Sequence, residues 1–138
     1  YCRSVWCGGA KAVRLLLDTH LVLWWMGDMR ELGKEARRLI AGPGNSVFVS
    51  TVTLWEIWLK CSLGKLRVDS DLEERLREES FEILPLAASH ARRVGALAWH
   101  HRDPFDRMLV AQADEERMTL LTVDTRMGAY GEMVRVLR

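Results

Sequence analysis

The chain has 138 residues, 49% of them hydrophobic and 28% charged, and twenty Lys and Arg against nineteen Asp and Glu leave a net charge of +1. Such a composition excludes a disordered or fibrous chain and suffices for one domain to bury a core without disulfides or a structural metal. It also provides no global pull toward polyanions, so any nucleic-acid binding has to come from a local grouping of basic residues. Cys2, Cys7 and Cys61 are odd in number and match no zinc or redox spacing, which points to free thiols in a reducing compartment, the cytoplasm by default.

Tyr1 to Ala12 has no initiator Met and no periodic pattern, and it is expected to be a poorly ordered extension, cloning remnant or truncated start beside one domain over 13–138. Val13 to Leu17 is a short apolar run with the length of a strand buried on both faces, and it ends in Asp18-Thr19. Leu21 to Met26, with Trp24 and Trp25, reads as a helix. The whole apolar run from Leu15 to Met26 is interrupted by Asp18, Thr19 and His20 and is too short to span a bilayer. Gly27-Asp28 is a break, Lys34 to Ala41 a second helix stopped by Gly42-Pro43-Gly44, and Ser46 to Ser50 a second strand. Ser50 or Thr51 can cap a third helix running to about Leu63 and ended by Gly64. This helix is apolar nearly all round, apart from a stripe of Thr53, Glu56 and Lys60. Glu56 and Lys60 can form an i,i+4 ion pair, yet an acid on so apolar a helix is expected to face a cleft.

Asp71 to Glu79 reads as a solvated helix, Phe81 to Leu84 as a third strand, and Ser89 to Trp99 as a helix leading into the most charged stretch of the chain. That stretch, His100 to Arg107, packs two acids, two arginines and two histidines ahead of an apolar stripe at Phe105, Leu109, Val110 and Ala113. Asp103 before Pro104 is placed to cap a helix, which puts Asp106 in its first turn. Thr119 to Asp124 is a fourth strand carrying an acid at its end, and Val134 to Leu137 closes the sheet. Alternating short apolar runs and helices predict an α/β domain with a mainly parallel sheet of about five strands.

Ligands of open parallel sheets bind beyond the carboxyl ends of the strands, where Asp18 and Asp124 are placed, and Asp106 and Glu56 project to the same edge. Four carboxylates that repel one another belong around a hard divalent cation such as Mg²⁺ or Mn²⁺, and the four histidines are not expected ligands.

The motifs LLLDTHLVLWW at Leu15 to Trp25, VSTVTLWEIWLK at Val49 to Lys60, HRDPFDRMLVAQA at His101 to Ala113 and LLTVD at Leu120 to Asp124 resemble those of PIN-domain ribonucleases. They are most similar to the VapC-type toxins of bacterial toxin–antitoxin pairs, and the resemblance runs from Val13 to Val136. It implies a three-layer α/β/α fold and a catalytic, metal-binding set of Asp18, Glu56, Asp106 and Asp124. Thr19 and Thr122 match hydroxyl residues of the family beside the first and last acids, with Asp103 in support. His20 matches no catalytic role. The implied activity is Mg²⁺- or Mn²⁺-dependent endoribonuclease cleavage that yields a 5′-phosphate, with Lys60, Arg102, Arg107 and Arg126 as possible contacts to RNA phosphates. Solvation or pairing with the acids is the plainer role for these cations, Arg107 above all.

The resemblance also implies a small antitoxin partner and a homodimer. Leu21, Trp24, Trp25, Trp55 and Trp58 agree with that, as more apolar surface than a core this size requires. The same tryptophans could stack on bases, although core packing or a partner's groove explains them more simply. A PIN-like module that only binds a partner, or one that processes RNA outside a toxin–antitoxin pair, is the alternative; four intact acids weigh against an inactive module. A receiver domain or haloacid-dehalogenase-like phosphatase would also place Asp at strand ends. The first would need an acid ending strand three, where Pro85-Leu86 stands, and the second an acid at His20.

Overall fold

The computed structural model describes residues 12–27 and 29–137, so Cys2, Cys7, Asp28 and nearly all of the stretch expected to be an extension lie outside it. Five strands, β1 (Arg14–Leu17), β2 (Ser46–Ser50), β3 (Glu82–Leu84), β4 (Thr119–Thr122) and β5 (Val134–Val136), form one all-parallel sheet in the order β3-β2-β1-β4-β5. Helices α1 (Thr19–Met26), α2 (Lys34–Ala41), α3 (Thr51–Ser62), α4 (Leu72–Glu78), α5 (Ala88–Gly95) and α6 (Pro104–Glu116) cover its two faces, giving the three layers expected.

Alternation along the central strand divides the core. Leu15 and Leu17 join Leu21, Val22, Leu39, Ile57 and Leu76 on one face, whereas Leu16 joins Leu109, Val110, Leu120 and Met127 on the other, all of them buried. Helix α3 straddles the two, with Leu54 and Ile57 in the first cluster and Val52 in the second. At roughly 1.5 to 3 kcal/mol for each fully buried large aliphatic side chain, this double core holds the strand ends in place.

Local chemistry sets the boundaries. Asp18 caps α1 by accepting the amide N–H of Leu21 at 3.0 Å, so this helix starts at Thr19, two residues before the expected Leu21. Ser50 caps α3 through Val52 N at 2.9 Å, and the helix stops at Leu63 before Gly64, whose φ of 73° favours glycine. Asp103 caps α6 as expected, accepting from Phe105 N at 2.9 Å and Asp106 N at 3.2 Å, with Pro104 at the first helical position.

Three expectations need correction. Helix α5 ends at Gly95 rather than Trp99, because the carbonyls of Val94, Leu97 and Ala98 accept hydrogen bonds from the Arg107 guanidinium of α6. Strand β4 stops at Thr122, and Asp124 instead caps a 3₁₀ turn over Thr125–Tyr130. Leu21 is fully buried in the core and adds nothing to the exposed apolar surface.

Candidate active site

The parallel register brings the ends of β1 and β4 level, with Leu17 opposite Leu121, and Asp18 N donates to Leu121 O at 3.1 Å. Thr122 follows Leu121, and its hydroxyl donates to Asp18 Oδ2 at 2.5 Å while accepting from Asp124 N at 3.1 Å. One hydroxyl thus fixes the acids that follow two neighbouring strands. A second does the same across the helices: Thr19 Oγ1 donates to Glu56 Oε1 at 2.7 Å. Lys60 Nζ holds the other oxygen, Oε2, at 2.7 Å, so Glu56 is both ion-paired along its helix and turned into the fold, where it is buried. Thr53, one turn earlier on α3, is also buried, and its hydroxyl oxygen has no hydrogen-bond partner among the described residues.

Asp106 stands in the first turn of α6. Burial pushes its carboxyl up to about 7, and the charges of Asp103, Asp18 and Glu56 add to that while His101 opposes it. Burial likewise raises Asp18, against the hydrogen bonds from Thr122 and Leu21 that favour its ionised form. Asp124 is the exception, held well below the usual carboxylate range chiefly by the Arg126 guanidinium, which donates from Nε to Oδ1 at 3.1 Å and from Nη2 to Oδ2 at 2.9 Å. The acids therefore form two linked groups. Asp106 and Asp124 are brought together beside His101, whereas the buried Asp18 and Glu56 act on Asp106 through their charge, and Thr122 ties Asp18 to Asp124.

A histidine completes the rim, although sequence reasoning left all four histidines out. His101 is buried, and its Nδ1 accepts the amide N–H of Asp103 at 3.0 Å, which places the proton of the neutral ring on Nε2. Nε2 lies 3.1 Å from Asp124 Oδ2 and 3.4 Å from Asp106 Oδ2. Ligand atoms of His101, Asp106 and Asp124 all fall within 4.8 Å of one another. The signal available in the sequence was position: His101 sits two residues before the cap of the helix that carries Asp106.

Of the four cations considered for phosphate contacts, Arg107 cannot serve as one. It is buried, and its guanidinium donates to Ala98 O at 2.8 Å, Tyr130 Oη at 3.0 Å, Val94 O at 3.2 Å and Leu97 O at 3.5 Å, so it pairs with carbonyls rather than acids. Lys60 and Arg126 are engaged with Glu56 and Asp124 at the edge of the site. Arg102 is exposed and lines a cavity of about 480 Å³ with Trp99, His100, His101, Asp103 and Arg126.

The residues fit a hard divalent cation. Carboxylate oxygens predominate, hydroxyls and cations orient them, and a bound cation would offset the burial and the neighbouring negative charge that raise Asp106.

The family model described as PIN domain matches residues 15–133. No curated protein matches the chain in sequence. Among solved structures, VapBC2 from Rickettsia felis bound to a promoter DNA fragment is similar with a TM-score of 0.67 at 16% identity, over 90% of this chain and 98% of that one. A toxin–antitoxin complex from Klebsiella pneumoniae gives 0.59 at 23% identity, over 88% and 96%. DNA-bound VapBC from Salmonella typhimurium gives 0.58 at 16% identity, over 91% and 97%. At these identities the likeness is one of fold.

Proposed function

This chain belongs to the PIN domain family, and from that premise we propose that it is the nuclease toxin of a toxin–antitoxin pair, a VapC-type endoribonuclease. The observation that supports the reading is the convergence of Asp106 and Asp124 beyond the strand ends, where Thr122 ties Asp124 to Asp18 and the charges of Asp18 and Glu56 act on Asp106. These four acids would hold Mg²⁺ or Mn²⁺. Held there, such an ion would supply Lewis-acid activation of water and charge compensation for the leaving oxygen.

The chain's own groups do the remaining work. Thr122 and Thr19 fix the lone pairs of Asp18 and Glu56. His101 spaces Asp106 from Asp124. Arg126, exposed, can leave Asp124 for a phosphate of the RNA, and Arg102 can hold another. Asp103 acts through the helix start rather than as a ligand.

The partner in this reading is a small antitoxin, supported by the toxin–antitoxin complexes that share the fold. Its seat is the cavity of about 580 Å³ whose apolar lining of Val22, Trp24, Met26, Leu66 and Leu72 is edged by Arg67, Asp69 and Arg75. Trp55, 60% exposed, and the exposed Leu59 and Leu63 follow one another along α3 and suit a homodimer. The domain would extend over 13–138 with the first dozen residues as an extension, and the protein would act in the cytoplasm. Among the described residues no helix is long and apolar enough to cross a membrane.

Purified protein incubated with a structured RNA is expected to cleave it with Mn²⁺ or Mg²⁺ and to stop on addition of EDTA. Cleavage unchanged by chelation would remove the metal from the reading, and no cleavage under any condition would favour the alternative of a binding module.

A further inference from the structure

Trp99 is 77% exposed, the most exposed large hydrophobic residue among those described, in a loop that begins where α5 stops. It is nonetheless not loose. The Arg107 guanidinium carbon lies 3.7 Å from the centroid of its ring, a cation stacked on one face. Arg107 is itself fixed by four hydrogen bonds and stands next to Asp106 on α6. The indole is therefore fastened to the helix that carries a candidate metal ligand, while most of its surface remains open to solvent. It lines the 480 Å³ cavity with His100, His101, Arg102, Asp103 and Arg126. His101 forms the wall between that cavity and Asp106 and Asp124.

From this arrangement we propose that Trp99 is a stacking platform for one nucleobase of the RNA, next to the phosphate held at the acids. The inference rests on the nuclease reading and adds a base subsite to it. A flat, immobilised aromatic surface beside two guanidinium groups matches a nucleotide, whose base takes the ring and whose phosphate takes Arg102 or Arg126. An apolar peptide side chain would gain little from that cavity, because four of its six lining residues are His or Arg. Arg102 has no hydrogen bond or ion pair among the described residues, so it is available for such a phosphate.

The test is a coupling experiment on binding. In the Asp106→Asn background, which keeps RNA intact, fluorescein-labelled single-stranded RNA 12-mers are titrated with Mn²⁺ present and followed by anisotropy. One oligonucleotide is intact, and each of the others carries a single abasic site. Trp99→Ala is expected to weaken binding of the intact RNA by roughly 5- to 150-fold, the worth of one stacked base, and Trp99→Phe to recover most of it. At one position the abasic site should cost wild-type Trp99 that same factor and cost Trp99→Ala nothing. A variant harmed only in its folding would lose affinity equally for every oligonucleotide, and that pattern would overturn the proposal. So would unchanged binding by Trp99→Ala, or a Trp99→Ala defect confined to binding an antitoxin co-expressed with the chain. Position-specific coupling without metal-dependent cleavage would refute only the nuclease reading; cleavage without coupling would refute only the platform; absence of RNA binding would refute both.

Discussion

Asp106→Asn removes a charge from the buried acidic neighbourhood at almost constant volume, and it should make the metal-free protein more stable while abolishing cleavage. The carboxyl is pushed from 3.8 up to about 7, so the folded protein binds this proton more tightly than the unfolded chain does. Its contribution to stability is fully present at low pH and is lost as pH rises from about 4 to about 7. Taken at about 1.36 kcal/mol per pH unit, that loss would approach 4 kcal/mol; solvent reaching the partly open side chain cuts it to about 2. Asn lacks the ionisation and so avoids the loss. In EDTA at pH 8 the variant should therefore melt about 6 to 10 °C above the wild type, whereas near pH 4 the two should coincide. Mn²⁺ should reverse the order by stabilising the wild type more than the variant, which keeps the other three acids. Circular dichroism melts at the two pH values, with and without metal, decide the matter. A variant less stable than the wild type at pH 8 in EDTA, or one that gains as much from Mn²⁺, would refute both the electrostatic account and the placing of Asp106 among the ligands.

Metal affinity of the wild type should fall about tenfold per pH unit below pH 7, because the cation must displace the Asp106 proton; a pH-independent isotherm from calorimetry would contradict this. Asp103→Ala loses the cap bonds to Phe105 and Asp106 and should cost about 0.5 to 2 kcal/mol in urea unfolding while keeping Mn²⁺ binding within a few-fold. Arg107→Lys cannot reproduce a planar fork shared among three carbonyls and a phenol, and a loss of roughly 2 to 4 kcal/mol is expected by the same assay. Thr53→Val exchanges an unpartnered buried hydroxyl for a methyl and should leave stability equal or raise it by about 1 kcal/mol.

The features legible in the sequence are those that local rules decide. Short apolar runs became the strands, Asp103-Pro104 became a helix start, and acids placed after strands arrived at one edge because every strand runs the same way. What could not be read depends on partners distant in the chain. Ser89 to Trp99 has a helical pattern to its end, yet a guanidinium from another helix takes the carbonyls of Val94, Leu97 and Ala98. His101 resembles any loop histidine until the Asp103 amide fixes its ring and Asp124 arrives at 3.1 Å. Leu21 looked like surplus surface because α1 is apolar on every side, and only its packing under the sheet shows which side is spent inside.

The hydrogen bond from Thr122 to Asp18 spans 104 residues of sequence. Synthesis runs from β1 toward β4, so Asp18 is made well before the strand that completes its surroundings. Contacts of such long range form slowly, because the intervening loop has to close first. A chain made only as far as α3 therefore carries Asp18 and Glu56 without Asp106, Thr122 or Asp124. The order of synthesis thus makes the carboxylate edge one of the last features of this fold to be assembled, after β4 has paired with β1.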